Sequence, residues 1–308
     1  MERPDFYFPE NKKLRVVIDS DAGCECDDLY AILHALMCRK ADVQGIIAAQ
    51  FGSPAAETMG KSLRDIRRLL ILAGETVDLY EGEAALFEDE SSTVSPGVGF
   101  LIQEARREDR RPLFLICQGA LTNLAAALRQ APDIAERMTA IIIGGADYPR
   151  GAFEFNTMND RAAFNYVMNS TLPLWVVPEE VYSTLQVSFE EVAQKVGCCG
   201  AVGRYLLDAM MEANRQLYER ISLRPGQDWA EYALGFPNGE SWSLGDSAGI
   251  GLLLACNAGT WQEVSPPQVR ADGSYIFDGD RRKIRWYDSI NVRFILEDFF
   301  AKIKYYYG

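Results

Sequence analysis

Short apolar runs alternate along the chain with longer segments in which apolar residues recur at helical spacing. The apolar runs are RVVI, VQGIIAA, LFLIC, TAIIIGG and LPLWVV. Helical patterns follow near residues 27–39, near residues 55–73, over LTNLAAALRQ and from about Asp160 onward. This alternation predicts an α/β fold, an open and mostly parallel Rossmann-like sheet with helices on both faces. Strands that are apolar at nearly every position are typical of a sheet buried on both sides.

The sequence has no internal repeat and no low-complexity linker, so we expect one domain over residues 1–308. Two segments depart from the alternation. The segment from about 221 to 245 is rich in glycine, proline and aromatic residues, and this predicts a long loop or lid. The segment SYIFDGDRRKIRWYDSI predicts a hairpin that turns at DGD, followed by a closing amphipathic helix.

Composition narrows the class of protein. The chain is 48% hydrophobic and 24% charged, with a formal net charge of -13. A pI near 4.7 argues against binding to nucleic acid or to an anionic membrane, since both need a basic surface. No apolar run reaches the roughly 18 residues that a membrane span requires. The N-terminal MERPDFYFPENKK lacks the apolar core of a signal peptide, and the seven cysteines have no zinc-like spacing. We therefore expect a cytoplasmic protein with reduced thiols.

Acidic residues are concentrated where the first predicted strand meets the first helix. Asp19, Asp21, Glu25, Asp27 and Asp28 all lie within ten positions. Helix capping and the helix dipole would explain one or two of them. Several ionised carboxylates this close repel one another unless a cation or protons intervene. Ligands in open α/β sheets bind at the carboxyl ends of the strands. The cluster therefore predicts a metal site, and its oxygen donors favour Ca²⁺ or Mg²⁺ over zinc.

One family with aspartates at this position is the haloacid-dehalogenase-like phosphatases, which depend on magnesium. The chain has DSD at 19–21 and LGDSAGIG at 244–251, which resemble the two acidic motifs of that family. The second acid of the late motif is absent here, because the chain continues through Ile250 and its glycine neighbours. A phosphatase of this type is retained as the enzymatic alternative.

A second family matches more motifs. The stretch DSDAGCECDD resembles the DxDxGxDD fingerprint of the inosine-uridine-preferring nucleoside hydrolases, with two residues inserted before the final pair. The segments QGALTNLAAALRQ, FEFNTMNDRAAF and LGDSAGIGLLLA resemble later motifs of the family and occur in its order. The resemblance spans about residues 14–256. It implies the nucleoside hydrolase fold and a calcium-dependent glycosidase that acts on the N-glycosidic bond of a ribonucleoside or related riboside. It also implies a homodimer or homotetramer.

The resemblance also implies roles for individual residues. Asp21 matches the residue that both binds the metal and acts as the base for a metal-bound water. The metal ligands implied are Asp21, Asp28, Asp246 and the backbone carbonyl of Gln118. The ribose contacts implied are Asp27, Glu154, Asn156 and Asp246.

The chain departs from the family where the leaving base is protonated. Many members have a histidine beside the late aspartate, and here that neighbour is Gly245. The only histidine, His34, lies in the middle of a predicted helix, and we interpret it as structural. Asp228 and Glu231 in the predicted loop are the candidate acids. The aromatic residues that could stack on a base are Tyr218, Trp229, Tyr232 and Trp242. The missing histidine leaves a third hypothesis, a non-catalytic metal-dependent protein that binds ribosides or sugars.

Other polar residues near these motifs have simpler explanations. Asp160 is interpreted as a helix N-cap, and Thr122 and Asn123 as residues at the start of a helix. Asp19 is expected to orient the acidic loop without ligating the metal directly. Glu25 lies within the insertion and is left open between the metal and solvent.

Overall fold

The computed structural model describes residues 6–88, 94–220, 237–278 and 282–308. Its centre is an eight-stranded sheet in the order β3-β2-β1-β4-β5-β6-β12-β9, and every neighbouring pair is parallel except β12 and β9. The strands of this sheet are β1 (Leu14–Ser20), β2 (Ala41–Ala48), β3 (Leu79–Glu81), β4 (Leu113–Cys117), β5 (Thr139–Ile143), β6 (Leu174–Val177), β9 (Gly259–Val264) and β12 (Ile284–Ile290). Two small antiparallel sheets pair β7 (Gln186–Ser188) with β8 (Ser241–Ser243) and β10 (Gln268–Val269) with β11 (Tyr275–Ile276).

Helices cover both faces of the central sheet, and each face has its own apolar core. The α-helices are α1 (Asp27–Leu36), α2 (Ala55–Ala73), α3 (Pro96–Arg106), α4 (Thr122–Gln130), α5 (Phe155–Asn159), α6 (Arg161–Asn169), α7 (Glu179–Tyr182), α8 (Phe189–Lys195), α9 (Gly200–Arg220), α10 (Ser247–Leu254) and α11 (Val292–Tyr307). Short 3₁₀ helices span Glu10–Lys12 and Pro132–Glu136. The predicted mostly parallel sheet with helices on both faces is therefore confirmed.

The central strands are apolar on both sides because both sides are covered. Val16 and Ile18 of β1 pack into the core beneath α1, α10 and α11, while Val17 between them packs into the core beneath α3, α4 and α6. All three side chains have no exposed surface. Alternate residues of a strand point to opposite faces, so a strand buried twice needs an unbroken apolar run.

The strand order places the carboxyl ends of β1 and β4 side by side. From β1 the chain runs outward through β2 and β3, and then returns to place β4 on the other side of β1. This reversal is the topological switch point where ligands of open α/β sheets bind. Asp21 follows β1 and Gln118 follows β4, so the topology brings these two residues to the same crevice.

One prediction about local structure was wrong. Among the described residues the predicted hairpin is absent, because β11 pairs with β10, whereas β12 lies in the central sheet between β6 and β9. Most of the predicted loop from about 221 to 245 lies outside the described residues, and near its end Ser241–Ser243 form strand β8. The rest of the DGD turn and residues 221–236 lie outside the described residues. The closing helix is present as Val292–Tyr307.

No helix in the described ranges is long and apolar enough to cross a membrane.

Candidate functional site

A cleft opens at the carboxyl ends of the parallel strands and collects six of the acidic residues named above. Its lining residues are Asp21, Cys24, Glu25, Asp27, Asp28, Gln118, Ile143, Glu154, Phe155, Asn156, Tyr182 and Asp246. They come from the ends of β1, β4 and β5 and from the first turns of α1, α5 and α10, together with the end of α7. All seven residues predicted for metal or ribose thus lie around one cleft.

Three carboxyl groups form the centre of the acid cluster. Oxygen atoms of Asp27, Asp28 and Asp246 all lie within 4.8 Å of one another. Asp27 and Asp28 stand in the first turn of α1, and Asp246 is the residue before α10. The Asp246 side chain makes no capping hydrogen bond to its own helix, so its carboxyl group is free to face the cleft. Both helices direct positive N-terminal ends toward this cluster, which favours negative charge there.

Hydrogen bonds orient two of these three carboxyl groups. The Ser20 hydroxyl donates to Asp28 Oδ1 at 2.6 Å. The backbone N–H of Asp246 donates to Asp27 Oδ2 at 3.3 Å and so ties α10 to α1. Asp27 is not the N-cap of α1, because Cys26 occupies that position.

Asp21 and Gln118 both line the cleft at the switch point. Asp21 is only 3% exposed, and its Oδ2 atom has no hydrogen-bond partner among the described residues. The same is true of Gln118 Oε1. A Cβ at Gly119 would lie 2.6 Å from Cγ of Asp21, so only glycine lets the end of β4 approach this carboxyl group. Buried polar atoms without partners are rare in folded proteins and indicate a missing ion or water.

Burial and mutual repulsion raise the pKa values of these acids. For Asp21 the main cause is loss of solvation, and the charges of Asp28 and Asp27 add to it. Burial likewise raises the pKa of Asp28 and Asp246 well above the ordinary range. Burial raises the pKa of Asp27 to about 6, although the hydrogen bond from the Asp246 backbone opposes the shift. Without a cation, the cluster therefore retains protons at pH values where isolated aspartates are ionised.

The donor set fits a hard divalent cation. It offers carboxylate and carbonyl oxygens, whereas zinc sites are built mainly from Cys and His. Among the described residues, Cys24 is the one thiol that lines the cleft, and burial raises its pKa, which disfavours the thiolate that a metal would need. The unpartnered oxygens of Asp21 and Gln118 and the raised pKa values point to the same conclusion.

Glu154 and Asn156 lie at the cleft but also hold its wall together. Glu154 is 2% exposed and caps α5, where it accepts hydrogen bonds from the backbone N–H groups of Asn156 and Thr157. It also accepts from Tyr182 Oη at 3.1 Å. Asn156 Nδ2 donates to the carbonyl oxygens of Gln118 at 3.2 Å and Ile143 at 3.0 Å. The two side chains thus connect the ends of β4 and β5.

The residues interpreted as structural have structural partners. Asn123 Nδ2 donates to Asp19 Oδ1 at 2.8 Å, and Asp19 does not line the cleft. Asp160 caps α6 by accepting from Ala163 N, and it also accepts from the Thr122 hydroxyl at 2.7 Å. Glu25 is exposed at the cleft, and its charge contributes to the raised pKa of Asp21.

His34 is remote from this site. It is fully buried in α1, and its Nε2 lies 2.8 Å from Asp298 Oδ2 of α11. Trp242 is buried in the core and Tyr218 lies on α9, so neither lines the cleft as a stacking residue would. The other aromatic and acidic candidates of the predicted loop are outside the described residues, namely Asp228, Trp229, Glu231 and Tyr232.

Tyr182, the last residue of the short helix α7, lines the cleft although no sequence pattern predicted it. Its hydroxyl bonds Glu154, and its ring lies against Gly245. A Cβ at Gly245 would lie 2.8 Å from Cδ2 of Tyr182, so no side chain fits at position 245 beside this ring. No sequence motif identifies Tyr182, because the contact joins segments more than 60 residues apart.

Comparison with known sequences agrees with the family resemblance of the motifs. The family model described as inosine-uridine preferring nucleoside hydrolase matches residues 16–293. An uncharacterized protein of Schizosaccharomyces pombe is 25% identical over 219 residues, which is 62% of this chain and 69% of that protein. The pyrimidine-specific ribonucleoside hydrolase RihA of Escherichia coli is 26% identical over 209 residues. That match covers 58% of this chain and 64% of RihA, slightly under two thirds of its length.

Solved structures share the fold of this chain. The purine-preferring ribonucleoside hydrolase from Gardnerella vaginalis superposes with a TM-score of 0.74 at 19% sequence identity. The superposition covers 94% of this chain and 98% of that one. At this level of identity the likeness establishes the fold alone.

Proposed function

The chain belongs to the inosine-uridine preferring nucleoside hydrolase family, and we propose that it hydrolyses the N-glycosidic bond of ribonucleosides with the help of Ca²⁺. The observation that carries the proposal is the convergence of Asp21, Asp27, Asp28 and Asp246 on one cleft at the switch point of the sheet. Family membership and this convergence favour a nucleosidase over the phosphatase alternative. Hydrolysis of such a bond passes through an oxocarbenium-like sugar that water attacks.

The proposed ion site consists of Asp21, Asp28, Asp246 and the carbonyl oxygen of Gln118. A bound Ca²⁺ would neutralise the crowded carboxylates and lower the pKa of a coordinated water. Asp21 is proposed as the base that takes the proton of the attacking water, because its Oδ2 atom has no other described partner. Its burial strengthens electrostatic interactions at that atom.

The remaining polar groups of the cleft are proposed to bind the ribose. Asp27 is held by the Asp246 backbone and half-buried, so it can accept from a sugar hydroxyl. Glu154 and Asn156 also line the cleft, where their own hydrogen bonds keep them in place. Several polar side chains around one cleft suit a ring that carries several hydroxyl groups.

We further propose that pyrimidine ribosides are better substrates than purine ribosides. Purine release benefits from protonation of the ring, and the described cleft contains no imidazole for that purpose. The relative RihA, at 26% identity, is named as pyrimidine-specific. We also propose that the protein acts in the cytoplasm as a homodimer or homotetramer, which light scattering of the purified chain would test.

A reducing-sugar assay over purine and pyrimidine nucleosides, with calcium and with chelator, tests the proposal. The expected result is ribose release that is faster from uridine than from inosine and that is lost on chelation. Release of phosphate from phosphorylated substrates with magnesium, and no ribose from nucleosides, would instead support the phosphatase. Binding of nucleosides without any ribose release would support the non-catalytic binder.

A further inference from the structure

Tyr182 is held in the cleft from three sides. Its backbone ends α7, and its carbonyl oxygen accepts from the Ser243 hydroxyl at 3.3 Å. Its phenol donates to Glu154 Oε1 at 3.1 Å. Its ring lies against Gly245. A half-buried aromatic ring fixed at both ends is a rigid wall rather than a mobile surface residue.

Gly245 separates the ring from the acid cluster. A Cβ at this position would lie 2.8 Å from Cδ2 of Tyr182 and 3.5 Å from Oδ2 of Asp27. The close atom belongs to the ring itself, which cannot move without breaking the bond from its hydroxyl to Glu154. The absence of a side chain at 245 is therefore what allows the ring of Tyr182 to stand next to Asp27 and Asp246.

The lining of the cleft is divided between acids and apolar groups. The acidic oxygens suit an ion and sugar hydroxyls, but they repel the electron-rich faces of a nucleobase. Ile143, Phe155 and Tyr182 are the lining residues that offer apolar surface. Phe155 is 47% exposed, whereas Tyr182 is half-buried and adjoins the segment that contains Asp246. Of the two rings, Tyr182 is therefore the one fixed beside the reacting centre.

We infer that Tyr182 positions the substrate, its ring packing against the leaving base and its hydroxyl holding Glu154 for the ribose. This inference rests on the proposed nucleosidase function. The phenol hydrogen is committed to Glu154, so Tyr182 does not serve as the acid that protonates the base. Residue 245 is glycine because this ring occupies the adjacent space.

Two substitutions separate the contribution of the Tyr182 ring to substrate binding from that of its hydroxyl. Tyr182→Phe keeps the ring and removes the bond to Glu154, whereas Tyr182→Leu removes both. Loss of the bond to Glu154 is expected to weaken ribose binding by roughly tenfold at most, because the backbone N–H groups of Asn156 and Thr157 still hold Glu154. Base–aromatic stacking is worth roughly fivefold to a hundredfold. Tyr205→Phe is the matched control, because its phenol also bonds the protein, at Asp65 O, but away from the cleft.

Tyr182→Phe is expected to raise the KM for uridine and the Ki of free D-ribose by the same factor, at most about tenfold, with kcat changed less. Tyr182→Leu is expected to raise the KM for uridine a further fivefold or more, with no further change for D-ribose. Tyr205→Phe should change neither. Equal behaviour of Tyr182→Leu and Tyr182→Phe on uridine, or equal weakening of uridine and ribose by loss of the ring, would overturn the inference.

Calorimetric binding separates failure of this inference from failure of the proposed function. If the wild type releases no ribose, the nucleosidase proposal fails, but binding of uridine and of D-ribose still reports on Tyr182. Uridine affinity that is undiminished in Tyr182→Leu overturns the inference whether or not hydrolysis occurs.

The packing part has its own test. Gly245→Ala should lower Tm. Gly99→Ala is the control and should not, because a Cβ at Gly99 meets nothing within 4 Å. In the double variant, Tyr182→Ala should reduce the loss of Tm that Gly245→Ala causes. Additive Tm changes in the double variant would contradict the stated reason for the glycine.

Discussion

Removal of the divalent ion is expected to destabilise the protein at neutral pH, and to do so less as the pH falls. The perturbation is chelation of the purified protein with excess EGTA, followed by thermal unfolding at pH 5.0 and at pH 7.5. The physical reason is the carboxyl trio of Asp27, Asp28 and Asp246, whose oxygens lie within 4.8 Å of one another.

The geometry sets the magnitude. Two ionised carboxylates at 4.8 Å repel by roughly 3.5 kcal/mol at an effective dielectric constant of about 20. The rise of the Asp27 pKa from 3.8 to about 6 corresponds to roughly 3 kcal/mol. An ion present at about 100 times its Kd would stabilise the fold by about 2.7 kcal/mol. For a chain of this size, that is a Tm change of about 4 °C.

The sign of the pH dependence follows from the direction of the shifts. In the metal-free protein the aspartate pKa values are raised, so the stability that these groups contribute is complete below about pH 4 and is lost as the pH rises through about 6 for Asp27. In the metal-bound protein the carboxylates are held ionised, so the stabilisation is present at neutral pH and is lost as protons displace the ion. The difference in Tm between the two forms should therefore grow from pH 5.0 to pH 7.5.

A variant tests the assignment to this cluster. Asp27→Asn cannot ionise and should flatten the pH dependence of the metal-free Tm. Asp133→Asn, which removes a half-exposed carboxylate paired with Arg106, should leave that dependence unchanged. A Tm that chelator does not alter at pH 7.5, or an equal chelator effect at both pH values, would refute the reasoning.

Three further predictions concern catalysis. Asp21→Asn should lower kcat roughly 10²- to 10⁴-fold with calcium in excess; an unchanged kcat in steady-state kinetics would remove Asp21 as the base. His34→Ala should lower Tm through the lost contact with Asp298 while kcat of the folded enzyme is retained, as circular dichroism and the reducing-sugar assay can show together. Glu231→Gln and Asp228→Asn, tested separately, should slow purine release by about 10²-fold or more for whichever residue protonates the base; if neither slows any substrate, the segment from 221 to 245 supplies no acid.

The central sheet was predictable from sequence because its strands are buried on both faces. Apolar runs such as RVVI and LFLIC can be fully buried only between two layers of helices. The helices that connect the strands have their own periodic pattern of apolar residues. Helix α2 begins and ends where the pattern predicted, at Ala55 and Ala73. Local chemistry also predicted the N-cap at Asp160.

Strand pairing between distant segments was not predictable in the same way. The segment around DGD has the composition of a hairpin turn, yet β12 satisfies its backbone hydrogen bonds between β6 and β9 instead. A buried place in the central sheet covers more apolar surface than an isolated hairpin could, since Ile284 and Trp286 both lie in the core. Whether this segment forms a local turn or a buried strand depends on the whole fold. The local sequence indicates only its tendency to form a turn.

The same limit applies to Gly245. Set beside the family motif, a glycine there indicates only that the histidine that protonates the leaving base is absent. In the structure the same glycine is the space into which the ring of Tyr182 fits, next to Asp27 and on the cleft side of Asp246. The volume that a side chain at position 245 would need is filled by Tyr182, which comes from another element. Because the hydroxyl of Tyr182 is bonded to Glu154, the ring offers a packing surface and not a proton donor. An enzyme with this arrangement should discriminate among bases by how well they stack and leave unprotonated, which is why the proposed preference for pyrimidines and the proposed role of Tyr182 rest on one physical argument.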